Sequence, residues 1–297
     1  MIIEGNWKRA NTLTRLVLVF LLSVTLLIDS APRHASAATV VLVGAGDIAS
    51  CAWDTDEATA RLLDGIPGTV FTAGDNGYPD GTSSQFSSCY HPTWGRHKSR
   101  TRPSPGNHDY HTPGASGYFG YFGVPAYYAY DLGDWRIYAL NSEIDTSPTS
   151  PQVYWLRNDL ITNPKLCVLA YWHKPRWSSS SLHQGTERMQ MIWSMLQNAG
   201  AELVINGHAH HYERFEEMNA YGTAASPGLR QIVVGTGGAG LTGFGRRWPT
   251  SQVRNSSAHG VLKLTLTSTS YSWQFVPIAG QSFTDSGTTH CYQRTTR

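Results

Sequence analysis

Residues 40–47 read VVLVGAGD and residues 69–75 read TVFTAGD, each an apolar run closed by glycine and one aspartate. Short apolar runs rich in β-branched residues and bounded by glycine have the pattern of buried strands. Further along, the construction returns with imidazole in place of carboxylate. Residues 166–173 read LCVLAYWH and residues 202–208 read ELVINGH. In sheets of the α/β kind, ligands collect just outside the carboxyl ends of the strands. Asp47, Asp75, His173 and His208 are therefore expected at one such edge. One aspartate after a strand carries little weight; four metal-capable side chains in this position carry much more.

Alternation of these runs with helical stretches predicts an α/β domain built on mixed sheets. Strands are expected at 39–45, 69–73, 135–141, 166–172, 202–205, 231–234, 261–267 and 271–276. Helices are expected over 55–63, 152–161 and 187–199. The second has Ser150 to cap it and Pro151 at its first position, a strong start signal. Residues 178–185 and 235–245 read as loops. The run GTGGAG at 235–240 lacks the Lys-Ser/Thr ending of a phosphate loop and reads as a turn.

The first 37 residues have the pattern of an export signal. Lys8, Arg9 and Arg15 precede an apolar run of 13 residues from Leu16 to Ile28, and Ala35-Ser36-Ala37 offers a cleavage site. The competing reading is a membrane anchor, which needs about 20 apolar residues. Cleavage after Ala37 leaves one domain over 39–297. It removes four of 23 basic residues and two of 21 acidic ones, leaving 19 of each. A neutral chain without a basic run offers no footprint for nucleic acid and no polybasic membrane patch. Small molecules are the expected partners. Export permits disulfides. Cys51 with Cys89 is the favoured pair, and Cys167 is either joined to Cys291 or a buried free thiol.

The donor set extends beyond the strand ends. Gly74-Asp-Asn-Gly-Tyr78 places a phenol three residues after Asp75, and Gly106-Asn-His-Asp109 adds an amide and an imidazole. Gly207-His-Ala-His210 adds two more imidazoles. Carboxylate, phenolate, amide and imidazole donors suit hard and borderline cations. Two cations about 3.5–4 Å apart need a shared anionic ligand. Asp75 is the best bridging candidate. Asp47, Tyr78 and His210 could complete one site; Asn107, His173 and His208 could complete the other.

The ordered set GD-x, GD-x-x-Y, GNH-[DE], a strand-terminal His and GH-x-H resembles the calcineurin-like metallophosphoesterases. Within them the chain is similar to the purple acid phosphatase branch. Most of the superfamily carries a His two positions after the first Asp, where Ala49 stands here. The branch uses a Tyr in the position of Tyr78, and residues 207–214, GHAHHYER, are similar to its GH-x-H-x-YER stretch. The resemblance implies a four-layer α/β/β/α sandwich of two mixed sheets flanked by helices. It implies Fe(III) held by Asp47, Asp75, Tyr78 and His210, and divalent Fe, Zn or Mn held by Asp75, Asn107, His173 and His208. It also implies a secreted acid phosphatase-like hydrolase of small phosphorylated substrates. Two departures are the sequence GDIA at 46–49 and Asp109 where Glu is common.

His108, beside Asn107, is the candidate proton donor to the leaving group, with a purely orienting role as the alternative. His183 lies in the serine-rich loop where the branch carries substrate-facing histidines. Asp109 is expected to support a ligand ring. His91, His97, His111, His211 and His259 lack motif neighbours and read as ordinary histidines. Trp53, Tyr90, Trp94, Tyr110, Tyr118 and Tyr121 either line a cleft or pack loops. Two other functions stay open: phosphodiester hydrolysis, and metal or phosphate binding without turnover.

Overall fold

The computed structural model describes residues 39–292, so the segment read as an export signal lies outside the described residues. The first strands are β1 (Val40–Ala45), β2 (Thr69–Ala73), β3 (Thr101–Ser104), β4 (Tyr128–Leu132), β5 (Trp135–Ala139) and β6 (Cys167–Trp172). They are followed by β7 (Leu203–Asn206), β8 (Tyr212–Met218), β9 (Leu229–Val234) and β10 (Ser251–Asn255). The last are β11 (Gly260–Leu266), β12 (Ser270–Pro277) and β13 (Ser286–His290). Helices are α1 (Thr55–Gly65), α2 (Ser83–Gln85), α3 (Ser116–Phe122), α4 (Pro151–Thr162) and α5 (Gln190–Asn198).

Two mixed sheets result, ordered β13-β12-β11-β1-β2-β3 and β10-β8-β9-β7-β6-β5-β4. β1, β2 and β3 run parallel in the first, as do β5, β6, β7 and β9 in the second. Side chains alternate across a strand, and β6 divides accordingly. Cys167, Leu169 and Tyr171 enter the core shared with Leu42, Phe71 and Leu264 of the first sheet. Val168, Ala170 and Trp172 enter a second core with Val153 and Leu156 of α4 and Ile192, Trp193 and Leu196 of α5. A strand buried on both faces is apolar throughout, so β6 was plain in the sequence. Truncating a side chain such as Leu169 to Ala in such a core costs about 2–5 kcal/mol.

Ser150 caps α4 by accepting from Val153 N, with Pro151 at the first position, as the sequence predicts. The helix expected over 187–199 opens with a 3-10 turn. Thr186 caps a 3-10 turn at Glu187–Met189, and α5 begins at Gln190. Five strands went unread: β3, β4, β8, β10 and β13. Four of them are sheet edges, where one-sided burial leaves no apolar run and even Pro103 is tolerated. Both disulfides form, Cys51–Cys89 and Cys167–Cys291. Cys167 is therefore not a free thiol.

Candidate metal centre

The loops after β1, β2, β3, β6 and β7 deliver Asp47, Asp75, Asn107, His173 and His208 from two different sheets. Two glycines let those sheet edges meet. A Cβ on Gly46 would lie 3.0 Å from Gly207 Cα and 2.7 Å from the Ala73 carbonyl oxygen. Asp47, Asp75 and His208 take φ of 62°, 50° and 67°. The left-handed region costs a residue with a side chain about 1–3 kcal/mol and is kept where surrounding structure enforces it. Three of the four such residues described are in this cluster.

Around Tyr78 the donors converge. Its hydroxyl lies 3.1 Å from Asp47 Oδ1, 3.1 Å from Asp75 Oδ2 and 3.2 Å from His210 Nε2. On the other side of Asp75 Oδ2, His173 Nε2 stands 3.1 Å away. That nitrogen is 3.1 Å from Asn107 Oδ1 and 3.2 Å from His208 Nδ1. Ligands at right angles around an ion with bonds of about 2.1 Å sit about 3 Å apart. Asp75 Oδ2 thus belongs to two donor groups of that spacing. All seven residues named from the sequence come together.

Backbone carbonyls set the ring tautomers. His173 Nδ1–H donates to Ala73 O at 2.9 Å, and His210 Nδ1–H to Gly240 O at 2.8 Å. Each Nε2 is left facing the cluster, the arrangement by which metal-binding histidines are oriented. The remaining carboxylate oxygens take backbone N–H groups: Asp75 Oδ1 accepts from His108 N, and Asp47 Oδ2 from His208 N, both at 2.8 Å.

Burial opposes ionisation of Asp75, yet the His173 imidazole outweighs it and holds the carboxyl well below its usual range. Burial likewise disfavours charge on His173, but Asp75 raises that ring to about 10. His208, buried and beside His173, falls to about 3. Burial and the carboxylates of Asp47 and Asp75 drive the Tyr78 phenol well above its ordinary value. A cation bound among these donors would displace such protons and favour the ionised carboxylates and phenolate. A buried set of two carboxylates, a phenol, an amide and three imidazoles at ligand spacing fits two ions.

His108 lies at the mouth. Its Nδ1 bonds Pro79 O at 2.6 Å, its ring packs 4.4 Å from the Tyr78 ring, and Nε2 is 4.0 Å from Asp75 Oδ2. His183 reaches the cluster too, its ring centroid 4.7 Å from that of His208 and 5.3 Å from that of His210. Asp109 corrects the sequence reading, because it supports no ligand ring. Fully buried, it accepts from Asn76 N at 3.1 Å, Asn76 Nδ2 at 2.9 Å and Gly106 N at 2.9 Å, stitching the second and third ligand loops together. Burial, then the Asp75 charge, raises its carboxyl to about 7.

Sequence reasoning missed two residues here. Asn76 was visible only as the neighbour of Asp75. Glu213, fully buried, accepts from Ser179 N at 2.8 Å and from Ser179 Oγ, and so holds the loop that carries His183. No pattern in the sequence set it apart from the neighbouring Glu216 and Glu217, which are only partly buried. His111 is less ordinary than it read, its ring 4.5 Å from that of His108. Tyr90, Tyr118 and Tyr121 pack with Phe86 and Phe122. Trp53 meets the edge of Tyr78 at 5.7 Å.

Comparison with known proteins shows the family. The family model for calcineurin-like phosphoesterases matches residues 41–212. Purple acid phosphatase 22 of Arabidopsis thaliana is 35% identical over 151 residues, 46% of this chain and 34% of that protein. Purple acid phosphatase 15 of the same plant is 27% identical over 229 residues, 63% of this chain and 43% of that protein. The chain thus spans well under half the length of these curated relatives. Among solved structures, the purple acid phosphatase PPD1 of yellow lupin superposes with a TM-score of 0.68 at 20% identity, covering 85% of this chain and 54% of that one. GAP50 of Plasmodium gives 0.69 at 14%, covering 86% and 90%. At those identities the superpositions speak for the fold alone.

Proposed function

The chain belongs to the calcineurin-like phosphoesterase family, and we propose that it is a phosphomonoesterase working at a pair of metal ions. The observation that supports this most is Asp75 Oδ2, 3.1 Å from both Tyr78 Oη and His173 Nε2, one carboxylate oxygen shared by two donor groups. Asp47, Tyr78 and His210 with Asp75 would hold a ferric ion, since phenolate is a hard anionic donor. Asn107, His173 and His208 with Asp75 would hold divalent iron, zinc or manganese. When bound, the ions supply a water of lowered pKa and positive charge for the phosphoryl oxygens.

The chain's own residues do the rest. Asp75 and Asp47, fixed by the His108 and His208 amides, keep the donors at ligand spacing. His108, with Nδ1 committed to Pro79 O, offers Nε2 to deliver a proton to the leaving oxygen. His183 faces the phosphate from the opposite loop. The match to purple acid phosphatases along the chain and the two disulfides support a secreted enzyme, with residues 1–37 as its signal and 39–297 as its catalytic domain.

The test is metal analysis with a visible spectrum, joined to turnover of an aryl phosphate and a bis-aryl phosphate side by side. Two metals per chain, a tyrosinate-to-iron colour and a decided preference for the monoester are expected. A colourless active zinc enzyme overturns the iron assignment, and preference for the diester makes the chain a phosphodiesterase. His108→Ala should cut kcat about 10²–10⁴-fold while both metals stay bound. Metal content falling in step with rate would make His108 structural.

A further inference from the structure

His183 reaches the metal centre from the tip of a loop. Its ring packs on His208 and His210 at centroid distances of 4.7 and 5.3 Å and makes no hydrogen bond among the described residues. Its backbone N–H donates to Ser180 Oγ at 3.1 Å, beside that of Leu182 at 3.2 Å. Leu182 itself is 71% exposed. The tip therefore hangs from Ser180. An exposed segment with few buried contacts keeps one conformation only if its base is fixed.

Ser178, Ser179 and Ser180 form that base, and all three are buried. Glu213 fixes it from below. One of its carboxylate oxygens accepts from Ser179 N at 2.8 Å and the other from Ser179 Oγ, so both donors of the serine end on one side chain. Ser179 Oγ accepts in turn from Trp248 N, and Gly245 N donates to Ser179 O, both at 2.8 Å. A carboxylate taken wholly out of water is costly unless donors meet it, and Glu213 is fully buried. Its place in the chain gives the contact a use. Glu213 is the third residue after His210, in β8, the strand that leaves the ligand loop. The strand that follows two ligand imidazoles thus also holds the loop that brings a third against them.

We propose that Glu213 is a positioning residue for phosphate binding, keeping His183 over the metal centre through Ser179 and Ser180. Its effect falls on the hold on phosphate and not on proton delivery to the leaving oxygen, which belongs to His108. That His183 faces the phosphate rests on the phosphoesterase reading above. Glutamine at 213 keeps the shape but turns one acceptor oxygen into a donor, so the Ser179 hydroxyl proton loses its partner.

Inorganic phosphate titrated calorimetrically into the full chain as purified, next to KM and kcat for p-nitrophenyl phosphate, tests this as a double-mutant cycle. Glu213→Gln and His183→Ala should each weaken phosphate binding about tenfold and raise KM alike, with kcat and bound metal close to the parent's. In the His183→Ala background, Glu213→Gln should add no more than about twofold. Ser179→Ala removes the hydroxyl from the other side of the contact and should match Glu213→Gln. It keeps the test readable should the buried variant fold poorly. Full additivity of the two losses overturns the positioning role, as does a fall in kcat and metal content at unchanged KM. Unchanged phosphate binding in either single variant overturns it too. Coupled losses of phosphate binding without any ester turnover keep the positioning role and overturn the phosphomonoesterase reading.

Discussion

Replacing Gly106 by Ala should disable the centre without touching a donor atom. The added methyl would lie 2.2 Å from Asp75 Oδ1, 2.4 Å from Asp75 N and 2.8 Å from His173 Cγ. Ordinary carbon–oxygen contact is about 3.2 Å, so an overlap of about 1 Å must be relieved. The nearest atoms are a backbone nitrogen and a carboxylate fixed by the His108 amide at 2.8 Å, so the shared carboxylate itself has to shift. Misplacement by about 1 Å in a catalytic constellation costs about 10²-fold, which is about 2.7 kcal/mol in the barrier. The assay is kcat on p-nitrophenyl phosphate with metals counted per chain. Gly120→Ala is the control. Gly120 lies inside α3 with nothing within 4 Å of the added carbon, so that variant should keep full activity and gain up to about 1 kcal/mol. Wild-type turnover and metal content in Gly106→Ala would refute the bridging geometry.

If the Tyr78 site holds the proposed ferric ion, Tyr78→Phe should abolish the visible charge-transfer band expected of the parent, and a coloured variant would place the chromophore elsewhere. Cys167 and Cys291 close a loop with sequence separation 124, Cys51 and Cys89 one of 38. Chain entropy gives about 5 and about 4 kcal/mol, so Cys167→Ser with Cys291→Ser should lower Tm more than the Cys51/Cys89 double variant; the reverse order by calorimetry would contradict this. Burial raises the Asp56 carboxyl to about 6. Its stabilising contribution is therefore complete below its ordinary pKa near 3.8 and is lost as pH rises through about 6. Asp56→Asn should gain up to about 3 kcal/mol over the parent at pH 8 and nothing near pH 3. Parallel urea curves at both pH values would exclude it.

The strand-terminal ligands were legible because doubly buried strands write continuous apolar runs, and each run ends on its ligand. β6 and His173 show this best. Edge strands such as β13, SGTTH, bury too little to leave a pattern. Asp109 was misread for a different reason. Its position in the motif suggested a ring partner, but the direction of a buried carboxylate depends on which N–H groups the folded loops leave unsatisfied. The Glu213 contact was invisible because residues 179 and 213 meet only in the tertiary fold.

The seam between the sheets has a consequence for maturation. Since β1, β2 and β3 contribute from one side and β6 and β7 from the other, neither half of the chain holds a complete chelate. A half-folded molecule would therefore lack the full donor set for the proposed metal pair. If the proposed ion pair is bound, its capture would have to follow the docking of the two sheets and would then hold them together.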